Sequence, residues 1–310
     1  MKLFDLHCDT AERMYHFKSA LLSNNLHISL ERSEKYEKYA QVMAFFTPHK
    51  LTDDEGFYHF LENYGYFIAE IAENKDKIAI VYEGSQIEQH WNAGKCAVLM
   101  SIEDTRILNG NIDRLDYLFQ KGVRSAVLMW DGETCIGGSF NATSGLTSFG
   151  KAVTQRCFDL GIVPDISHAS EKTADDIIEI GNKNNKPVIA SHSNSYSVYQ
   201  HPRNCRDRHF EAIRNLGGIV GISLCYSHIS SCYPTIDDII RHIDHYMSLG
   251  GENNVCLGCD LDGAKLPSEF SSITDLDKIA IRMSNLGYSN DIIEKIFWKN
   301  AKIFIEKNIK

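Results

Sequence analysis

The chain predicts an α/β architecture, a (β/α)8 TIM-type barrel. Three observations carry that expectation. Eight short Val/Ile/Leu-rich runs alternate with helical stretches along the 310 residues. No linker, internal repeat or low-complexity tract offers a place to cut the chain, so residues 1–310 read as one domain, a length that suits a single barrel. Strand after strand ends at its C-terminal tip in a metal-capable or titratable side chain, and in a barrel those tips meet at one mouth. An open doubly wound sheet is the rival form; the count of eight favours the barrel.

The expected strands are residues 3–7, 41–46, 97–102, 125–130, 162–167, 187–191, 219–224 and 255–258. Each is short and apolar, as strands covered on both faces should be. Helical patterns occupy about 54–74, 112–121, 148–160, 171–182, 208–215, 236–249, 273–286 and 290–306. A further strand–helix pair, 78–82 and 85–92, makes a small insertion near residues 78–94. Several boundaries are signalled by capping chemistry. Ser170 opens one helix with Glu171, and Thr235 precedes the acidic turn Asp237–Asp238. Gly250 and Gly251 follow the end of that helix, and Ser289 stands before Asn290 and Asp291. The Tyr/Phe-rich stretch 57–67 reads as a helix face packed on the barrel or on a partner subunit.

Composition narrows the function. The 43% hydrophobic and 24% charged fractions are those of an ordinary globular protein. A net charge of −9 with no basic block argues against gripping nucleic acid, which runs on phosphate neutralisation. No window approaches 18 consecutive apolar residues, so no membrane span is expected. Asp5, His7, Asp9 and Glu12 interrupt any apolar core of a leader. The nine cysteines are scattered singly from Cys8 to Cys259 and, without an export signal, read as reduced thiols in a cytoplasm. Cys256 and Cys259 form one CxxC inside a strand with no second pair, a poor zinc ribbon. Neither GxSxG nor a P-loop occurs.

The chemistry lies at the strand tips. In Asp5-Leu6-His7-Cys8-Asp9, His7 and Asp9 are two apart and project to one side of a strand. An apolar strand runs straight into Glu103. Asp165-Ile166-Ser167-His168 and Ser191-His192 place two imidazoles at equivalent positions, and Gly258-Cys259-Asp260-Leu261-Asp262-Gly263 ends the eighth strand. Any one of these alone is more readily a structural histidine, a helix cap or a solvated acid. Together they fill two metal sites: His7 and Asp9 hold one ion, His168 and His192 the other, and Glu103 bridges them. Mixed imidazole and carboxylate ligands suit zinc, with manganese or cobalt as alternatives. Two such ions, roughly 3.5–4 Å apart, generate hydroxide at neutral pH and polarise a carbonyl or phosphoryl oxygen.

These motifs, with Arg203-Asn204-Cys205-Arg206-Asp207 and Gly145-Leu146-Thr147-Ser148-Phe149-Gly150-Lys151, resemble the membrane (renal) dipeptidase family of the amidohydrolase superfamily, in order and spacing along nearly the whole chain. The resemblance implies a barrel with a binuclear zinc site on His7, Asp9, Glu103, His168 and His192. It implies that Asp260 handles the proton of the metal-bridging water and that Arg203 binds the substrate's terminal carboxylate, for which a guanidinium offers a planar fork. Asp262 is assigned to the substrate side; a cap or a support behind the ligands are its other readings. A homodimer is implied by the family alone. One position departs: where some members carry a substrate-binding His at the end of the fourth strand, this chain has Trp130. Indole can donate one hydrogen bond but cannot replace imidazole as an acid. Trp130 is therefore either a pocket residue or packed rim, and oxyanion stabilisation and substrate preference are what the change affects.

The expected activity is zinc-dependent hydrolysis of dipeptides, those with a C-terminal D-residue included, by a hydroxide bridging the metals. Long peptides should be poor substrates because both substrate termini are gripped. The alternatives are another binuclear-metal amidohydrolase (an amidase, lactonase or phosphoesterase) and a non-catalytic metal-binding protein.

Overall fold

Eight parallel strands form in chain order: β1 (Lys2–Cys8), β2 (Lys38–Phe46), β3 (Ile78–Ile80), β4 (Cys96–Glu103), β5 (Val123–Val127), β6 (Val163–Asp165), β7 (Val220–Ile222) and β8 (Val255–Leu257). The structure is a computed structural model and describes all 310 residues. Hydrogen bonding runs β6-β5-β4-β2-β1-β8-β7. Single bridges from Asp165 to Ile189 and from Ala190 to Val220 join β6 to β7 and complete the ring. The sixth barrel position is thus an irregular segment rather than the strand expected over 187–191. The reason is local. The Ser191 N–H donates to the Asp165 carboxylate at 3.1 Å, so a side chain takes the place of a ladder partner there.

The expected insertion is present. β3 pairs with the first half of β4, from Ile78 beside Cys96 to Ile80 beside Val98, and β5 takes over that edge of β4 from Met100 onward. Helix α4 (Gln86–Asn92) follows β3.

Alternation along the strands sorts two cores. On β4, Ala97 and Leu99 face the barrel axis with Phe4, Leu6, Val42, Val163, Ile189 and Ile219. Val98, Met100 and Ile102 face outward into the larger cluster beneath the helices. The bottom of the barrel is closed by Phe304, Ile305 and Ile309 from the C-terminal segment.

The remaining helices are α1 (Thr10–Phe17), α2 (Leu30–Ser33), α3 (Asp53–Glu73), α5 (Asp113–Gln120), α6 (Ser148–Leu160), α7 (Glu171–Asn184), α8 (Asp207–Asn215), α9 (Tyr226–Ile229), α10 (Ile236–Ser248), α11 (Asp277–Asn285), α12 (Asn290–Glu294) and α13 (Asn300–Asn308). The side chains of Ser170, Thr235 and Ser289 accept the N–H bonds their positions promised, Thr235 within a capping box with Asp238. α3 buries Phe60 and Phe67 against Phe45. A 3-10 turn, Ile273–Asp275, precedes α11, and a π turn, Lys295–Lys299, joins α12 to α13. The helices α1 and α2 between β1 and β2 had no counterpart in the expected pattern, because polar residues dominate that stretch. No helix is long and apolar enough to cross a membrane.

Candidate active site

The site begins with a slip in β1. Asp5 pairs with Gln41 but Cys8 pairs with Met43, so β1 carries one extra residue between them. A bulge of this kind turns a side chain from one face to the other. Leu6 joins the interior core, Cys8 joins the outer one, and His7 is free to face the mouth. Asp5, behind it, is sealed, accepting from Gln41 Nε2 at 3.0 Å and from the Cys259 N–H at 2.7 Å. Asp9 stands at the N-cap of α1 but makes no capping bond, which leaves its carboxylate for the site.

The expected ligands meet. His7 Nε2 lies 3.5 Å from both Asp9 Oδ2 and Glu103 Oε2. Glu103 Oε1 lies 3.1 Å from His168 Nε2 and 3.7 Å from His192 Nε2. The two imidazole nitrogens are 2.9 Å apart. Asp260 Oδ1 is 3.9 Å from His7 Nε2. His7, Asp9, Glu103 and His192 are all buried. His168 Nδ1–H donates to the Trp130 carbonyl at 3.0 Å, so in the neutral ring Nε2 presents its lone pair to the cluster. Ser191 Oγ holds His192 Nδ1 at 2.8 Å.

The backbone at these tips is unusual. His168, Asp260 and Asp262 have φ values of 68°, 60° and 66°, a left-handed region that non-glycine residues avoid. Such strain persists only where surrounding packing enforces it. Gly263 lets the carboxylates draw together: a Cβ there would lie 2.0 Å from Asp9 Oδ2 and 2.4 Å from Asp260 Oδ1.

Burial disfavours charge throughout the cluster, and mutual attraction decides who keeps it. Burial opposes a proton on His7, yet the Glu103 and Asp9 carboxylates raise it well above the ordinary imidazole value. Glu103 is held well below the carboxylate range, against burial, by His7 and His168. Burial and the neighbouring Glu103 push Asp9 well up. Burial, with Arg203, holds His168 down at about 4. Asp260 is pushed up to about 6 by burial and Glu103, against the pull of His7 and Arg203.

His7 Nδ1 and Nε2 and Asp9 Oδ1 are buried without a hydrogen-bond partner. Unsatisfied buried polar atoms are rare and costly. Here they belong to two convergent groups able to hold a metal, His7-Glu103-His192 and His7-Asp9-Asp260. The donor set, imidazole and carboxylate, fits divalent zinc-like cations.

Above the cluster opens a cleft of about 920 Å³. Arg203 is 5% exposed at its wall, with Nε and Nη2 unpartnered. The Trp130 ring packs on Phe46 at 4.9 Å and faces the cleft. Asp262 borders the cleft as well, but Thr10 Oγ1 donates to its Oδ2 at 2.6 Å and the His27 N–H to its Oδ1 at 2.7 Å. Several cleft residues escaped the sequence reading: Glu12, Arg13 and His16 on α1, Phe46, Phe140, and His228, which packs on His201 at 4.6 Å. The first three were within reach. With Asp9 they keep the i, i+3, i+4, i+7 spacing of one helix face, a signal that needed α1 to be recognised.

A parallel barrel with an imidazole–carboxylate cluster at its C-terminal mouth has the architecture a metal-dependent hydrolase requires. The profile of the membrane dipeptidase family, peptidase family M19, matches residues 1–307, and the chain belongs to that family. Among relatives, an uncharacterized protein in the pqqA 5′ region of Klebsiella pneumoniae is 27% identical over 243 residues, 74% of this chain and 89% of that protein. The dipeptidase verJ of Clonostachys rogersoniana is 25% identical over 233 residues, 73% of this chain but only 59% of its own length. A metallo peptidase from Rhodobacter sphaeroides, solved with a phosphinate mimic of the dipeptide L-Ala-D-Ala, superposes with a TM-score of 0.92 at 22% identity, covering 99% of both chains.

Proposed function

We propose that this protein is a zinc-dependent dipeptidase acting on short substrates that carry both free termini. The observation that supports it most is the convergence of His7, His168 and His192 on the two oxygens of Glu103, with Asp9 and Asp260 beside His7. His7 and Asp9 would hold one divalent cation, His168 and His192 a second, with Glu103 between them. Bound there, the pair supplies Lewis acidity toward a carbonyl and lowers the pKa of water.

The protein's own groups do the rest. The guanidinium of Arg203, which lines the cleft, receives the substrate's terminal carboxylate and so fixes the peptide's direction. Asp260, beside His7 at the cluster and lining the cleft, takes a proton from the attacking water and returns it to the leaving amine. Trp130 orients His168 through its carbonyl and walls the cleft with its ring. Asp262 supports the site by fixing the segments of Thr10 and His27 against the mouth. All nine cysteines are free, which suits a cytoplasmic setting.

The test is turnover of a dipeptide panel by zinc-loaded protein, with C-terminal D-residues included because the Rhodobacter sphaeroides structure holds such a mimic. Cleavage that disappears on chelation and returns with zinc is expected. Absence of cleavage of every member, with metal shown to be bound, overturns the reading. Arg203→Ala should lower kcat/KM on dipeptides by about 10–100-fold while dipeptide amides change little, since a charge-assisted pair is worth about 1.5–3 kcal/mol. A lactonase would not separate the two.

A further inference from the structure

The roles above leave one buried acid of the cleft without a task. Glu12 lies one helical turn beyond Asp9 on α1 and is 8% exposed. Its Oε2 is held by His59 Nε2 at 2.7 Å and by Asn63 Nδ2 at 3.1 Å. Its Oε1 has no protein partner, yet it is not among the sealed, unsatisfied atoms, and Glu12 borders the cleft. That oxygen therefore opens onto the substrate space. A carboxylate anchored at one oxygen and bare at the other is preorganised to receive a hydrogen-bonding cation. The neighbouring acids are committed elsewhere, Asp9 to the ligand cluster and Asp262 to Thr10 and His27. Arg203 follows the sixth ring position and α1 follows the first. Arg203, Asp260 and Glu12 line one cleft, so a substrate anchored by its carboxylate at Arg203 with its scissile bond over the cluster would have its other end in the space that Glu12 borders.

We propose that Glu12 receives the α-ammonium group of the substrate's N-terminal residue and so restricts the enzyme to peptides with a free amine. The proposal rests on the dipeptidase reading. Its test compares alanyl-alanine with propionyl-alanine, which keeps the scissile bond and the carboxylate but lacks the ammonium. The zinc-loaded wild type should favour alanyl-alanine in kcat/KM by about 10–100-fold, the worth of one charge-assisted contact. Glu12→Gln should erase most of that preference through loss on alanyl-alanine, with a loss on propionyl-alanine at least tenfold smaller. Glu12→Asp, which keeps the charge, should retain part of the preference. Equal losses on both substrates in both variants would assign Glu12 a structural role through His59 and Asn63 and overturn the proposal, as would a wild type indifferent to the ammonium. Those outcomes leave the dipeptidase reading standing. A wild type that cleaves no dipeptide removes both.

Discussion

A side chain at the mouth of this barrel is set by what stands behind it. His168 is turned by the Trp130 carbonyl, His192 by Ser191, and Asp262 by Thr10 and His27. The same logic governs a histidine away from the cluster. His242 on α10 is fully buried; the Ser195 N–H donates to its Nδ1 at 3.1 Å, and its Nε2–H donates to the Ile229 carbonyl at 2.9 Å. Burial holds it at about 4, below the ordinary 6.5. The unfolded chain therefore takes up this proton before the folded one as the pH drops. The contribution is complete above about pH 6.5, shrinks as pH falls from 6.5 toward 4, and changes no further below. Its ceiling is about 3 kcal/mol. Unfolding curves of wild type and His242→Gln between pH 7 and 4 should converge as the medium acidifies. Parallel curves would contradict this assignment.

Elements decide which residues meet. Most strand tips could be located because an apolar, β-branched run that stops at an imidazole or a carboxylate reveals both its length and its polar end. Glu103 ends β4 in phase with Ala97 and Leu99, so its inward direction follows from alternation alone. His7 is different. Simple alternation puts it on the face of Leu3 and Asp5, and only the bulge in β1 turns it to the mouth. No pattern in the residues announces that bulge. The segment at 187–191 is the other exception, and glycine explains how it is accommodated. A Cβ at Gly258 would lie 1.7 Å from the Ser191 carbonyl oxygen, and one at Gly221 would lie 1.9 Å from it. Gly258→Ala should cost about 3 kcal/mol or more in denaturant unfolding, because the obstacle is backbone. Gly65→Ala, in the middle of α3 with nothing within 4 Å, should instead stabilise by about 0.5–1 kcal/mol. Equal midpoints for the two variants would refute the packing argument.

Over the whole molecule, the barrel divides its labour between two ends. The bottom is apolar and plugged by Phe304, Ile305 and Ile309; the mouth gathers Asp9, Glu103 and Asp260 around three imidazoles. Placing like charges together out of water costs stability, and a bound cation offsets it by binding the folded state alone. Chelation should lower Tm by roughly 5–10 °C, as expected for a ligand present at about a thousand times its Kd, and zinc should restore it. A Tm indifferent to removal of bound metal would mean that the cluster does not hold it.

By itself the sequence determined the alternation of strands and helices, the barrel class, and the residue types available at each tip, because these depend on local periodicity and on which side chains can bear a proton or a metal. The tertiary structure alone decided that β1 slips by one residue, that the sixth position of the ring is irregular, that Asp262 is engaged by Thr10 and His27, and that Glu12, held by His59 and Asn63, lines the cleft. Each of these rests on contacts between residues far apart in the chain, or on a one-residue change of register, and no local pattern encodes them.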